Sequence, residues 1–571
     1  MKPLSLGIRS VFVNLDYRAQ LVIIGIIVGV FSGFAALGLN WALEFVSHHL
    51  SQVARQGYLV VLPAVGIFLT VVFLKYIVRD FSGHGVPDVI HSVSLKGGFL
   101  KLRSSFSKLI GSLLTISFGG SAGPEAPVVI SGAAIGANIA TYFKSNDKIR
   151  VAVTGSGAAA AIAAIFNAPI AGVIFTMEVI LGEWSAMNML PIAISSVTGT
   201  VISRMFNGNR IPFSHRLIQV NFNDILASAV FPLVIALFAV AFIKSLKHTQ
   251  VLFKKMIGSA MIRALLGGLL VGGVILFFPH VKGEGYALVK DLIGGSYSAT
   301  IGFLLVLVIL KIIVTSITLG AGGAGGVFAP SLVIGSLAGV FYFQLITMIF
   351  PGATFSGAPL FALCGMAGIL SGTLHAPLTG IFLIVEITGG YDVILPLLLV
   401  SFLSATLVKL VEKYSIYQYE LVEKGLLLRP RTDARILADM KTEELLEKDL
   451  IPIYPEMRLQ DLVPIIEESG RNFFPVEDRE SGLFLGMVNF SDIKAFLFRP
   501  ELAGCIIVEE VMRSDIPRAS YSDSMVEILK KFDLTNVWSI PVIQNGKFMG
   551  LISKATLLDH YRKELKAQTD I

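Results

Sequence analysis

Along most of this chain, apolar residues follow one another in unbroken runs instead of alternating with polar ones. "LVIIGIIVGVFSGFAALGLNWAL" from Leu21, "YLVVLPAVGIFLTVVFL" from Tyr58 and "IGFLLVLVILKIIVTSITLG" from Ile301 approach or reach the roughly 20 residues that span a bilayer core. On the order of ten spans are predicted, several of them short or cut by Gly and Pro. Near residue 420 the pattern changes. About half of the charged residues lie beyond it in roughly a quarter of the chain, so a hydrophilic domain follows the last span.

The apolar part repeats itself. "SGAAAAIAAIFNAPIAGVIFTMEV" (156–179) aligns with "CGMAGILSGTLHAPLTGIFLIVEI" (364–387), pairing Gly157 with Gly365, Pro169 with Pro377 and Glu178 with Glu386. "GPEAPVVISGAAIG" (123–136) aligns with "GVFAPSLVIGSLAG" (326–339), pairing Gly123 with Gly326 and Pro127 with Pro330. The same order and nearly the same offset predict two related halves, an inverted-topology repeat. Interrupted segments at matching places in such halves point to a transport site at their interface. Close helix packing in lipid accounts for the small residues of "GAAAAIAAI". It does not account for two matched Gly-x-x-Ala-Pro breaks.

The breaks carry chemistry of their own. Freed backbone N–H groups cannot stay unsatisfied in hydrocarbon, and proline fits the first turn of a helix. Each Ala-Pro therefore opens a helix whose start presents free donors and the positive end of its dipole. Aimed at the bilayer midplane, such ends bind an anion without a fixed charge that would trap it. Three breaks qualify: "GHGVP" (83–87), "GPEAP" (123–127) and "GVFAP" (326–330). Glu125 stands inside the second, where its carboxylate occupies the place of an anion until it is protonated or swings away. A simple N-cap carboxylate is the competing reading. For Glu178 and Glu386, matched after their Ala-Pro steps, a structural role is favoured.

Composition narrows the function classes. A mean hydropathy of +0.75 with 15% charged residues excludes an ordinary soluble protein. Two cysteines, Cys364 and Cys505, give neither a disulfide framework nor zinc-type spacing, so no metal is expected. The formal charge of +6 sits in basic loops such as "KLRSSFSK" without aromatic interleaving, so nucleic acid is not an expected partner. No His-x-x-x-His or Gly-x-Ser-x-Gly supports an intramembrane enzyme. A cation carrier using Glu125, Glu178 and Glu386 conflicts with helix N-termini, which repel cations. The N-terminus does not read as a signal peptide, so the tail is expected on the cytoplasmic side.

In order and spacing the three breaks resemble those of the CLC family of chloride channels and proton-coupled chloride exchangers. That family's Gly-Arg-Glu-Gly-Pro motif appears as Gly123-Pro124-Glu125-Ala126-Pro127, and its Gly-x-Phe-x-Pro motif intact as Gly326-Val327-Phe328-Ala329-Pro330. Its Gly-Ser-Gly-Ile-Pro motif appears as Gly83-His84-Gly85-Val86-Pro87, and Tyr417 in "KYSIYQY" matches its pore-lining tyrosine. The resemblance, covering residues 15–420, implies a multi-pass cell-membrane homodimer with one pore per subunit for chloride or a similar small anion. It implies that the anion is held by the Val327 and Phe328 amides, the Tyr417 hydroxyl and the side chain at His84, with Glu125 as gate. Two departures matter. His84 replaces the usual serine, either donating an imidazole N–H or facing away. Val179 stands where family exchangers often carry an acid that passes protons from the inner side. Glu183, four residues on, is the candidate substitute. On this ground a passive voltage- or pH-gated chloride channel is favoured over a proton-coupled exchanger.

The tail has its own repeat, "FFPVEDRESGLFLGMVNFSDI" (473–493) against "SIPVIQNGKFMGLISKATLL" (539–558). It resembles a tandem pair of CBS domains, about 437–500 and 506–567, in a tail of 426–571 that follows a membrane domain of 1–425. The expected fold is thus an α-helical polytopic membrane protein with a small α/β CBS-pair domain. Such pairs often bind an adenine nucleotide. Asp492 matches the ribose-binding acid in the first copy, whereas Thr556 replaces it in the second. No cofactor is required, and a structural or assembly role for the tail stays open beside nucleotide sensing.

Overall fold

The computed structural model describes residues 16–53, 60–79, 85–209, 211–213, 217–297, 299–423, 440, 442–497, 499–535 and 537–569. The chain divides into two compact units, Met1–Leu427 and Leu428–Ile571.

In the first unit the helices come as two sets of eight in the same order. The first set is α1 (Tyr17–Val53), α2 (Leu62–Val72), α3 (Val86–Leu95), α4 (Ser104–Ser117), α5 (Glu125–Tyr142), α6 (Asp147–Phe166), α7 (Pro169–Phe175) and α8 (Ala186–Asn207). The second is α9 (Phe222–Met256), α10 (Ala260–Phe277), α11 (Tyr286–Ile293), α12 (Ile301–Gly320), α13 (Phe328–Ile349), α14 (Ala358–Leu374), α15 (Pro377–Thr388) and α16 (Ile394–Val411). A last helix, α17 (Ile416–Glu423), follows. Among the described residues, 8 helices are long and apolar enough to cross a membrane, and α2, α7, α14 and α15 belong to shorter apolar segments. The short ones begin or end at the Gly/Pro breaks. Pro87, Pro169 and Pro377 each sit in the first turn of a helix, where the missing N–H costs nothing.

Small residues bring the helices of each half together. A Cβ on Gly132 of α5 would collide with the Gly157 carbonyl oxygen of α6, and one on Gly335 of α13 with that of Gly365 of α14. Both pairs allow backbone to rest on backbone, which is the way helices associate without a hydrophobic driving force.

The halves are joined by their helix starts. Gly123 and Gly326 exchange hydrogen bonds, Gly123 N to Gly326 O at 2.9 Å and Gly326 N to Gly123 O at 2.7 Å. The Glu178 carboxylate accepts from Leu378 N (3.2 Å), Thr379 N (2.7 Å) and Thr379 Oγ1 (2.7 Å), capping α15. In return, Glu386 accepts from Ile170 N (3.0 Å) and Ala171 N (2.7 Å), capping α7. Each half thus supplies the acid that closes the short helix of the other.

The second unit contains two strand–strand–helix modules. Antiparallel β1 (Phe473–Glu477) and β2 (Phe484–Asn489) lead into a helix at Phe490–Leu497. In the second module, β3 (Ala519–Ser520) runs parallel to β4 (Ser539–Gln544), which pairs antiparallel with β5 (Lys547–Ser553) before a helix at Lys554–Thr569. Glu447 ties them together: its backbone pairs with Leu551, its carboxylate accepts from Ser553 Oγ (2.7 Å), and Arg471 binds it at 2.6 Å. Arg471 also hydrogen-bonds Asp449 and holds that carboxyl below the usual carboxylate range.

Glu178→Ala removes every acceptor that Glu178 offers α15. Losing hydrogen bonds to a charged acceptor predicts destabilisation of about 1–3 kcal/mol. Thermal unfolding in detergent should show a clear fall in Tm, with a smaller fall for Glu178→Gln, which keeps one acceptor oxygen. Equal Tm values for wild type and Glu178→Ala would show that the cap is dispensable.

Candidate functional site

Three helix starts meet at Ala126. A Cβ on Gly85, just before α3, would lie 3.0 Å from the Ala126 carbonyl oxygen, and one on Gly326 would lie 3.0 Å from Ala126 Cβ. The breaks that precede α3, α5 and α13 are therefore in van der Waals contact. Glu125 opens α5 and is 1% exposed. Its carboxylate folds back over Gly123, where a Cβ would collide with Oε2. Its own amide and that of Ala329, in the first turn of α13, face it. Oε1 accepts a short hydrogen bond from the Tyr286 hydroxyl. A carboxylate of α5 thus reaches the N-terminal end of α13.

Val327 is the N-cap residue of α13 and Phe328 its first helical residue, so their N–H groups have no acceptor within the helix. The buried Phe328 ring is packed by Phe166 and Phe175, with centroids 5.9 and 5.7 Å away. Beside them lies a cavity of about 40 Å3 lined by Pro87, Gly326, Val327, Ile416 and Tyr417. That volume holds a water-sized or small monatomic species. Tyr417 is 4% exposed, and its hydroxyl is a buried polar atom with no hydrogen-bond partner among the described residues. It also lies within electrostatic reach of Glu125. The cavity thus brings Val327 and Tyr417 together; Phe328 follows Val327 in the chain, and Glu125 does not line the cavity but lies within electrostatic reach of Tyr417. His84 lies outside the described residues.

Glu183 is placed differently from the expectation. Val179 lies in a π-helical turn that extends α7 from Thr176 to Leu181, and Gly182, at φ 67°, ends it. Glu183 follows on a loop, partly exposed, and accepts from Asn188 Nδ2 at 3.3 Å. The four-residue spacing from Val179 is not one turn of a continuous helix. In the tail, the Asp492 carboxylate is engaged by Arg513, with contacts of 2.8 and 2.9 Å.

Two residues at this centre escape sequence reading. Lys247 of α9 lines the same cavity, bonds Glu412 Oε2 at 2.6 Å and sits 3.8 Å over the Tyr419 ring. In sequence it is one of several lysines at the end of a long helix. Tyr286 had a usable signal. "GHGVP" (83–87) in the first half corresponds to "GEGYA" (283–287) in the second, so the repeat extends to a third pair of breaks.

The sequence profile of the voltage gated chloride channel family matches residues 66–409, and that of the CBS domain matches 508–563. The first copy of the tail repeat lies outside the second match. The chain is 30% identical over 401 residues to the "H(+)/Cl(-) exchange transporter ClcA" of Vibrio parahaemolyticus, covering 66% of this chain and 84% of that one. Among solved structures, a slow cyanobacterial Cl-/H+ antiporter superposes with a TM-score of 0.65 at 24% identity, covering 72% of this chain and 99% of that one. A eukaryotic CLC transporter gives 0.64 at 20% identity, covering 95% and 98%. At those identities the two structures speak for the fold.

Proposed function

We propose that this chain, which belongs to the voltage gated chloride channel (CLC) family, moves chloride in exchange for protons, with Glu125 as the shared gate. The observation that carries the reading is the Glu125 carboxylate reaching the start of α13, where a bound anion would lie. Ionised, it competes with the anion for the same N–H groups. Protonated, it loses that attraction and yields the place. One titrating group then governs both ions. The anion, in this proposal, is held by the Val327 and Phe328 amides and the Tyr417 hydroxyl, whose lack of a partner among the described residues fits a ligand at the cavity. The fit needs no full positive charge at the binding point, so release stays easy.

Val179 favours a channel when the sequence stands alone. The 30% identical relative, named as an exchange transporter, outweighs it, because a single missing acid does not exclude a proton route through another. Glu183, partly exposed after the end of α7, is proposed as the proton's entry on the inner side. We also propose that the protein works as a homodimer in the cell membrane with its tail in the cytoplasm. For the tail we infer a structural role, supported by Arg513, which already engages the carboxylate that a nucleotide's ribose would use.

Two outcomes are expected. In vesicles with an outward chloride gradient, wild-type protein drives protons uphill. Glu125→Gln, a mimic of the protonated gate, keeps chloride flux but loses both proton movement and most of the dependence on external pH. Retained proton pumping in that variant would remove Glu125 from the gate. For the tail, millimolar AMP, ADP or ATP should leave the Tm of the full-length protein unchanged. A saturable rise would instead assign a nucleotide to the two modules.

A further inference from the structure

We propose that Tyr286 is the latch of the Glu125 gate: its hydroxyl holds the ionised carboxylate in the closed position and sets the pH at which it is released. The inference rests on the gate reading above.

Tyr286 is the first residue of α11, the counterpart of α3 in the second half. At the corresponding break the first half has Val86 and turns Pro87 towards the anion cavity. The second half instead offers a phenol, whose hydroxyl donates to Glu125 Oε1. The phenol is held from two sides. Phe213 meets its ring edge-on at 5.3 Å, and Phe213 N is itself bonded to Ile387 O at 2.9 Å. On the other side, Lys311 of α12, fully buried, donates through Nζ to Val281 O (3.1 Å) and Gly283 O (2.8 Å), clamping the loop that delivers Tyr286. Gly285 completes the turn at φ 85°, where a Cβ would lie 2.7 Å from Val333 Cγ2. The loop therefore presents the hydroxyl in one fixed position.

Among the described residues, the titratable groups facing Glu125 are Tyr286 and Glu284 from this loop and Tyr417 from α17, while Lys311 faces Glu284. Of these, Tyr286 alone hydrogen-bonds the carboxylate. A bond from a hydroxyl to an ionised carboxylate is roughly twice as strong as one to a neutral carboxyl. Tyr286 therefore favours the ionised, closed gate over the protonated, open one. Release then waits for a higher proton concentration than Glu125 would need without it. A merely structural tyrosine at this place would lower flux at every pH and leave the midpoint where it was.

The test is chloride efflux from proteoliposomes as a function of pH. Tyr286→Phe should raise the pH of half-maximal flux by about one unit, so that about ten-fold fewer protons open the gate. Phe213→Leu keeps the phenol but frees its ring, and should move the midpoint the same way by less. In the Glu125→Gln background, Tyr286→Phe should move nothing. A wild-type midpoint in Tyr286→Phe overturns the latch, and so does an equal shift that persists with Glu125→Gln. Should Tyr286→Phe not fold, an unchanged midpoint in Phe213→Leu overturns it alone. Wild-type pH dependence in Glu125→Gln itself would bring down the gate reading, and the latch with it. Loss of that dependence together with an unmoved Tyr286→Phe midpoint removes the latch and spares the gate.

Discussion

A helix that begins inside a membrane protein exposes backbone N–H groups that neither water nor lipid can satisfy. This chain contains several such starts, and its architecture follows from the acceptors it finds for them. At the repeat interface, Gly123 and Gly326 satisfy each other. Glu178 closes α15 and Glu386 closes α7, each reaching from one half to the other. These contacts make the two halves one body.

In the proposed mechanism the same constraint separates permanent caps from a conditional one. Glu178 is fixed by three donors and has no reason to leave. Glu125 belongs to α5 but turns its carboxylate towards Ala329 of α13, within electrostatic reach of the buried Tyr417 hydroxyl. An acceptor that does not belong to the helix it serves can be replaced by another, and a small anion is chemically the same kind of acceptor. A gate then needs no moving domain, only a carboxylate whose hold depends on its charge.

Much of this was legible because prolines and glycines mark backbone breaks whatever surrounds them. The matched positions of Glu178 and Glu386 pointed to a structural pair, and the reciprocal caps give its physical form. What escaped depended on tertiary contacts or on one local conformation. Four-residue spacing puts Glu183 one turn beyond Val179 only in a continuous helix, and Gly182 ends that helix. Tyr286 meets Glu125 across 161 positions of sequence, and only the repeat carried to a third break would have singled it out. Arg513 meets Asp492 from 21 positions away, a contact that no local motif encodes. The acid missing at Val179 is one position on a proton route that another acid such as Glu183 can also serve, so it does not by itself separate a channel from an exchanger.

The central claim is that one carboxylate governs two ions, and it is tested most directly by the reversal potential of the purified protein in planar bilayers. Under a fixed chloride gradient, an imposed pH gradient should displace the reversal potential from the chloride equilibrium value, in the direction set by protons moving opposite to chloride. A reversal potential that follows the chloride gradient alone, unchanged by pH, would contradict exchange and identify a passive anion pathway.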